Sequence, residues 1–261
     1  MDEKDIESRW NDLLDWYEKS GINRALVAFS GGKDSTLVLD SAVNALDDVK
    51  AFIIDDVIYP DWETEEAISR AEEIGAEYEV IETSKLSNED LRENPSDRCY
   101  HCKRELFVSI DEEGTILEGT NATEVEGHRP GFEAVKKYGK APLFETGMEE
   151  EEIREILKWR GRDVWDRPSF ACLASRVPTG TELTEERLKR VERLEDKIFE
   201  LGVRQLRVRD FDEKARIEVW PEDMEKILEN REKITDWFKD EGYEKVFLDL
   251  EGYRTGSISQ G

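Results

Sequence analysis

The six residues Ser30-Gly31-Gly32-Lys33-Asp34-Ser35 constrain this chain more than any other segment. They follow a short apolar run, Ala25 to Phe29, and lead into Leu37, Val38, Ala42, Val43 and Leu46 at helical spacing. Two glycines at a strand-to-helix junction let the backbone turn tightly and admit another molecule close to it. The first N–H groups of the following helix have no intrahelical acceptor and lie at the positive end of its dipole, which makes the junction an anion site. The hydroxyls of Ser30 and Ser35 add donors. Asp34 does not favour a bare anion, but it suits Mg²⁺ riding on phosphates. The spacing is not that of a Walker A loop, because Lys33 lies inside the turn.

The flanking elements predict the architecture that such a loop needs. Trp10, Leu13, Leu14 and Tyr17 mark an N-terminal helix that stops at Gly21. After the loop helix come a strand over Val49 to Ile54, a helix over about Thr64 to Ile74 closed by Gly75, and a strand over Tyr78 to Ile81. A later strand, Thr115 to Glu118, runs into Gly119-Thr120-Asn121. This alternation implies an α/β fold: a Rossmann-like parallel sheet with helices on its faces. Past about residue 175 the texture changes. Thr184 is an N-cap with Glu185 and Glu186 in the first turn; Leu188, Val191, Leu194, Ile198 and Leu201 trace one helix face, and Gly202 ends it. Gln205 to Val208 and Ala215 to Val219 read as an antiparallel pair, and Lys245 to Leu250 as a further strand. The expected organisation is a large domain over residues 1–170 and a second, smaller α/β domain over 171–261, the boundary falling near residues 165 to 180.

Composition narrows the partners. The net charge of −26 repels nucleic-acid phosphates at long range, so a nucleic-acid partner would need a local basic patch, and no sustained basic stretch is present. Acid runs such as Glu149 to Glu152 and Asp111 to Glu113 read most simply as solvated surface. No apolar stretch approaches the ~20 residues of a membrane span, and Met1 to Asp12 lacks the apolar core of a secretory signal. The expected location is the cytoplasm. Three cysteines are no disulfide framework and are available there for chemistry or metal binding.

Ser-Gly-Gly-x-Asp-Ser after a first strand resembles the signature of the PP-loop ATP pyrophosphatases. The resemblance implies a PP-loop domain over residues 1–170 that splits ATP into pyrophosphate and an adenylylated substrate. The cysteines then select among its branches. Cys99 and Cys102 stand in C-x-x-C spacing within Arg98-Cys99-Tyr100-His101-Cys102-Lys103, and Cys172 lies in Ala171-Cys172-Leu173-Ala174-Ser175-Arg176. Three thiolates can hold three irons of a 4Fe–4S cluster and leave the fourth open for an extra sulfide. They can also serve as a thiol or persulfide pair, or, with His101, ligate zinc. Cys172 alone can also be a small buried hydrophobe.

These segments resemble one family closely, the LarE ATP-dependent sulfur transferases. The likeness runs through the loop at Ser30, Glu118-Gly119-Thr120-Asn121-Ala122, Arg129-Pro130-Gly131, Trp165-Asp166-Arg167-Pro168 and Ala171 to Arg176. It continues through Arg207-Val208-Arg209, Ala215-Arg216-Ile217-Glu218 and Asp249 to Gly256. The resemblance implies that ATP activates a carboxylate of pyridinium biscarboxylic acid mononucleotide, on the way to a nickel-pincer nucleotide, and that sulfur replaces AMP to leave a thiocarboxylate. Some members look like single-cysteine enzymes that sacrifice their sulfur; this chain has the three-cysteine, iron–sulfur form, with sulfide or another sulfur donor as partner. Implied catalytic residues are Cys99, Cys102, Cys172, Asp34 and Lys103, with the three cysteines on the cluster and Asp34 on Mg²⁺. ATP would contact Ser30, Gly31, Gly32, Lys33, Asp34, Ser35, Gly119 and Thr120, its adenosine lying near Asp55 and Asp56. Arg176, Arg207, Arg209 and Arg254 match the positions that take the mononucleotide phosphate, where a planar guanidinium can donate two parallel bonds. Taken singly, each of these arginines reads as a surface ion-pair partner, and Glu195 and Glu218 read equally as solvent-exposed carboxylates. Arg129 beside His128 is a minor substrate-site candidate. The family also implies a homo-oligomer, a hexamer, with residues 171–261 as its substrate-binding and oligomerisation domain. The rival is a tRNA-thiolating PP-loop enzyme. That class usually carries a further C-x-x-C pair or an RNA-binding module, and this chain has neither a second C-x-x-C nor a basic stretch. An amide-forming synthetase leaves the cysteines without a role, and a non-catalytic iron–sulfur or nucleotide sensor leaves the activation chemistry unused.

Overall fold

A computed structural model describes residues 1–123, 130–168 and 170–254. They fall into two units: residues 1–56, 61–83, 97–123 and 130–168, and residues 57–60, 84–96 and 170–254.

The first unit is built on four parallel strands, β1 (Ala25–Ala28), β2 (Val49–Asp55), β3 (Glu77–Glu82) and β4 (Thr115–Leu117), in the order β3-β2-β1-β4. The central register places Val27 beside Ala51 on one side and Leu117 on the other. Every residue of β1 is buried, as a central parallel strand covered on both faces must be. Seven helices belong to this unit among the described residues: α1 (Glu3–Ser20), α2 (Lys33–Ala45), α3 (Asp61–Ile74), then α5 (Arg98–Ser109), α6 (Pro130–Tyr138), α7 (Pro142–Glu145) and α8 (Glu150–Trp159), with the short α4 (Glu89–Arg92) in the second unit. Ile6, Trp10, Leu13 and Tyr17 of α1 pack with Leu37, Val38 and Leu39 of α2 and Ile153, Ile156 and Leu157 of α8 in one core. Gly21 ends α1 at φ 68°. The sheet order has a functional consequence. The chain runs from β1 outward through β2 to β3, whereas β4 lies on the other side of β1, so the carboxyl ends of β1 and β4 flank a topological switch point. In open α/β sheets such a point is where ligands bind.

The second unit holds a three-stranded sheet ordered β5-β6-β7, from β5 (Leu206–Phe211), β6 (Lys214–Val219) and β7 (Lys245–Leu248). β5 and β6 are antiparallel, as expected from the sequence, with Val208 opposite Ile217 and Arg209 opposite Arg216. β7 joins β6 in parallel, which requires the crossover made by α10 (Met224–Glu229) and α11 (Arg231–Asp240). Thr184 caps α9 (Glu185–Phe199), its hydroxyl accepting the Arg187 N–H at 3.2 Å, a bond type worth ~1 kcal/mol. Several expected ends differ, β5 running on to Phe211, three residues past the expected Val208. β4 stops at Leu117 because the Glu118 N–H turns to the Lys140 carbonyl, and β7 stops at Leu248, just before Asp249 to Gly252 make a turn. No helix among the described residues is long and apolar enough to cross a membrane.

Candidate functional site

The loop after β1 takes the form its glycines allow. Gly31 has φ 69°, and a Cβ there would come within 2.9 Å of the Ala67 Cα on α3. Gly32 is the N-cap of α2 and brings no capping side chain. The Ser30 and Ser35 hydroxyls lie 3.2 Å apart, and Ser35 also donates to the Gly32 carbonyl at 3.1 Å. Lys33 is 3% exposed; its Nζ donates to the Arg167 carbonyl at 3.1 Å and pairs with Glu150 at 3.1 Å.

The end of β4 meets this loop directly. A Cβ on Gly119 would lie 2.8 Å from the Ser35 backbone nitrogen and 3.0 Å from the Asp34 carbonyl carbon. Asn121 Nδ2 donates to Asp34 Oδ1 at 2.8 Å. Burial pushes the Asp34 carboxyl above the ordinary range, against the Asn121 hydrogen bond and the Lys33 charge. Ser30 to Ser35, Gly119 and Thr120 are therefore gathered at the switch point. Asp55 closes β2 at the same end of the sheet, and the buried Asp56 accepts the Thr83 hydroxyl at 2.6 Å.

Cys99, Cys102 and Lys103 share α5. Cys99 is exposed and Cys102 half-buried, at positions one turn apart on a helix surface. Lys103 pairs with Glu118, and its Nζ lies 3.4 Å from the Thr120 hydroxyl. His101 bonds Asp97 through Nε2 at 3.2 Å. Cys172 belongs to the second unit, where it precedes the 3-10 turn Leu173–Arg176 and its carbonyl accepts the Ser175 N–H. Among the described residues no group of three or more His, Cys, Asp or Glu side chains is gathered for a metal ion. Thiolate is the right donor type for iron, and two of the three thiolates, Cys99 and Cys102, are placed by one helix.

The second unit buries charge. Arg176, 1% exposed, donates from Nε and Nη2 to the two carboxylate oxygens of Glu195 at 2.9 and 2.8 Å. Arg209 donates from Nε and Nη2 to Glu218 Oε2 at 3.0 and 2.8 Å, and from Nη1 to the Ser175 carbonyl at 2.8 Å. Arg216 takes the other Glu218 oxygen at 2.7 Å. Arg207, also buried, stands 5.4 Å from the Phe170 ring and 5.0 Å from the Tyr253 ring. Burial first, then the neighbouring Arg176 charge, lowers its pKa to about 10. Arg254 is exposed and pairs with Glu251.

Three readings from the sequence change. Glu195 and Glu218 are not solvent-exposed; they are buried acceptors for the arginines. Arg176, Arg207 and Arg209 are not surface ion-pair partners but among the most deeply buried polar side chains of the unit. The Glu149–Glu152 run is more than solvated surface: Glu149 and Glu152 form a capping box on α8, Glu152 binds Arg9 at 2.7 Å, and Glu150 meets Lys33. Glu118 escaped sequence reasoning as the partner of Lys103, and Asn121 and Glu150 as partners of the loop. Glu118 and Asn121 flank the glycine that touches it, which was the available signal; nothing local marks Glu150. Arg129 and His128 lie outside the described residues, as do Ser169, Thr255 and Gly256 of the family-like segments.

Compared with known proteins, the chain is 34% identical over 98% of its length, and 98% of the relative's, to an uncharacterized protein of Synechocystis. It is 29% identical over 91% of its length to the pyridinium-3,5-bisthiocarboxylic acid mononucleotide synthase of Lactiplantibacillus plantarum, covering 90% of that enzyme. An uncharacterized protein of Methanocaldococcus jannaschii is also 29% identical over 91% of the chain. No protein-family model matches the chain.

Proposed function

Because the chain belongs to the LarE family, along with these full-length relatives, we propose that it is an ATP-dependent sulfur transferase. Its substrate is a pyridinium biscarboxylic acid mononucleotide. The substrate carboxylate attacks the α-phosphorus of ATP, the bond to the β-phosphate oxygen breaks, and pyrophosphate leaves. A sulfur nucleophile then attacks the acyl carbon, and AMP departs with the former carboxylate oxygen, leaving a thiocarboxylate.

One observation carries the ATP half: two backbones, the start of α2 and Gly119, approach so closely that Gly119 has no room for a Cβ, at a helix N-terminus whose N-cap Gly32 brings no side chain. That arrangement supports the reading of a polyphosphate site. Asp34, fixed by Asn121, would hold the Mg²⁺ that accompanies ATP, neutralising phosphate charge as pyrophosphate departs. Ser30, Gly31, Gly32, Lys33, Ser35 and Thr120 complete the nucleotide contacts. Arg176, Arg207, Arg209 and Arg254 are assigned to the mononucleotide phosphate.

The sulfur half rests on Cys99, Cys102 and Cys172. As ligands of a 4Fe–4S cluster they would supply a metal-bound sulfide. Without iron, a cysteine thiolate is the nucleophile. Its attack leaves a thioester, and the thiocarboxylate is freed when the Cα proton is lost and the Cβ–Sγ bond breaks, leaving dehydroalanine in the chain. A persulfide's outer sulfur instead leaves an acyl disulfide, from which a second cysteine thiolate frees the thiocarboxylate as an enzyme disulfide forms. The cationic Arg98 and Lys103 favour the ionised thiol. The same reading makes the protein a homo-oligomer, a hexamer, with the apolar Phe247 of the edge strand β7 and Leu250 of the turn after it, 49% and 84% exposed, available for contact.

The test measures pyrophosphate release from ATP, with and without the mononucleotide, by anaerobically purified protein assayed for iron and sulfide. Substrate-dependent release is the expected result; its absence in correctly folded, substrate-saturated enzyme sinks the proposal. Cys172→Ala is expected to release pyrophosphate and form no thiocarboxylate. Loss of both steps would make Cys172 structural. About four irons per chain support the cluster, and an iron-free active protein supports the thiolate.

A further inference from the structure

Lys103 has a flexible four-carbon stem, and a flexible cation stabilises developing charge poorly unless something fixes its ammonium group. The surroundings of Lys103 do so. Nζ pairs with Glu118 and lies 3.4 Å from the Thr120 hydroxyl. A methyl group on Gly131, in the first turn of α6, would touch the Lys103 Cδ at 3.4 Å and the Cys99 Cβ at 3.5 Å, so α6 packs along the lysine stem and the cysteine together. Glu118 is itself held from several directions. Its Oε2 accepts the Thr120 N–H at 3.1 Å and the Thr120 hydroxyl at 2.6 Å, while its own N–H donates to the Lys140 carbonyl at 3.0 Å. Its side chain is 13% exposed. The next residue, Gly119, rests on Ser35 of the phosphate loop.

We infer that Glu118 is a positioning residue: it takes the Lys103 ammonium with one carboxylate oxygen, anchors the other on the Thr120 backbone, and so fixes a cation of the cysteine helix at the β4 end of the phosphate loop. The ammonium then faces the charge that moves onto pyrophosphate and AMP during transfer, with no reorganisation at that moment. The inference rests on the ATP chemistry proposed above. It also explains why a carboxylate stands where polyphosphate must bind: Glu118 spends its charge on Lys103 and on an N–H and a hydroxyl, not on the anion.

The experiment is a double-mutant cycle on pyrophosphate release with ATP and the mononucleotide, using Glu118→Gln, Lys103→Met and the two together. Glu118→Gln is expected to lower kcat about 10- to 100-fold with the KM for ATP within about threefold, as for loss of an interaction made in the transition state. Lys103→Met does the same, and the double variant is no slower than Lys103→Met alone. A double variant slower than either single overturns the inference, since Glu118 would then act independently of Lys103, as a purely structural residue would. A kcat unchanged in Glu118→Gln overturns it too. Should Glu118→Gln fail to fold, Glu118→Asp keeps the charge but shortens the reach; it is expected to lose about tenfold in kcat, and full activity in that variant is fatal to the assignment. Wild-type enzyme that releases no pyrophosphate removes the ATP reading itself, which separates that failure from this one.

Discussion

At the loop after β1 the first unit presents backbone, whereas the charged cluster of the second unit is made of side chains. Gly31, Gly32 and Gly119 have nothing beyond Cα, and what they offer is proximity: a Cβ on Gly119 would sit 2.8 Å from the Ser35 nitrogen. Arg176, Arg207 and Arg209 offer long guanidinium groups instead, two of them locked on Glu195 and Glu218. A backbone site tolerates no added atom and is indifferent to most changes of charge nearby. A side-chain site tolerates changes of size at its rim, but it depends on charge balance, because a buried ion left without its counter-ion is strongly destabilising.

That contrast is broken most sharply at Gly119. Gly119→Ala forces either β4 or the start of α2 to move, so pyrophosphate release is expected to fall by two orders of magnitude or more, given that a misplacement of about 1 Å costs ~100-fold. Gly75→Ala is the control, because it lies just after α3, away from the loop, and its Cβ would meet nothing within 4 Å. It is expected to fold and to keep most of its activity. Equal losses in the two variants, measured side by side at saturating ATP, would refute a cradle built on close backbone approach.

In the second unit the decisive change is Glu218→Ala. It strips Arg209 and Arg216 of a carboxylate whose side chain is fully buried, and is expected to cost ~3–5 kcal/mol. Urea unfolding at neutral pH measures it. Glu218→Gln keeps the shape and acceptor oxygen and should cost less. If both variants unfold at the wild-type midpoint, the cluster is not the electrostatic core described above.

The same contrast explains what could be read from the sequence. The loop, the parallel sheet and the antiparallel β5–β6 pair were legible because glycines at a strand end, alternating strands and helices, and an N-cap threonine act locally. The arginine cluster was visible only by family resemblance. In an acidic chain any single arginine has many surface acids to pair with, and no local rule says that Glu195, on α9, and Glu218, on β6, are the ones it meets inside. Glu150 and Lys33 are similarly remote in sequence, and α8 joins them only through tertiary packing. Cys99 and Cys102 were correctly read as a spaced pair, but the helix that carries them has a modest apolar pattern, with Phe107 as its one fully buried hydrophobe.

Asp34 tests the boundary between the two modes, being a half-buried side chain inside a backbone site. Burial raises its pKa in the folded protein, so the folded state holds the proton more tightly than the unfolded chain. The sign follows: folding is favoured by protonation of Asp34, and its contribution to stability is lost as pH rises through the unfolded value, near 3.8, toward the raised folded one. At neutral pH the ionised carboxylate is therefore a net cost to the fold, carried for the cation it is proposed to hold. Asp34→Asn removes that cost and can still accept from Asn121. It is expected to raise Tm, with the gain shrinking in acid and pyrophosphate release lost. A lower Tm at neutral pH would mean that the Asn121 hydrogen bond and the Lys33 charge outweigh burial, and Asp34 would then belong with the balanced pairs of the second unit.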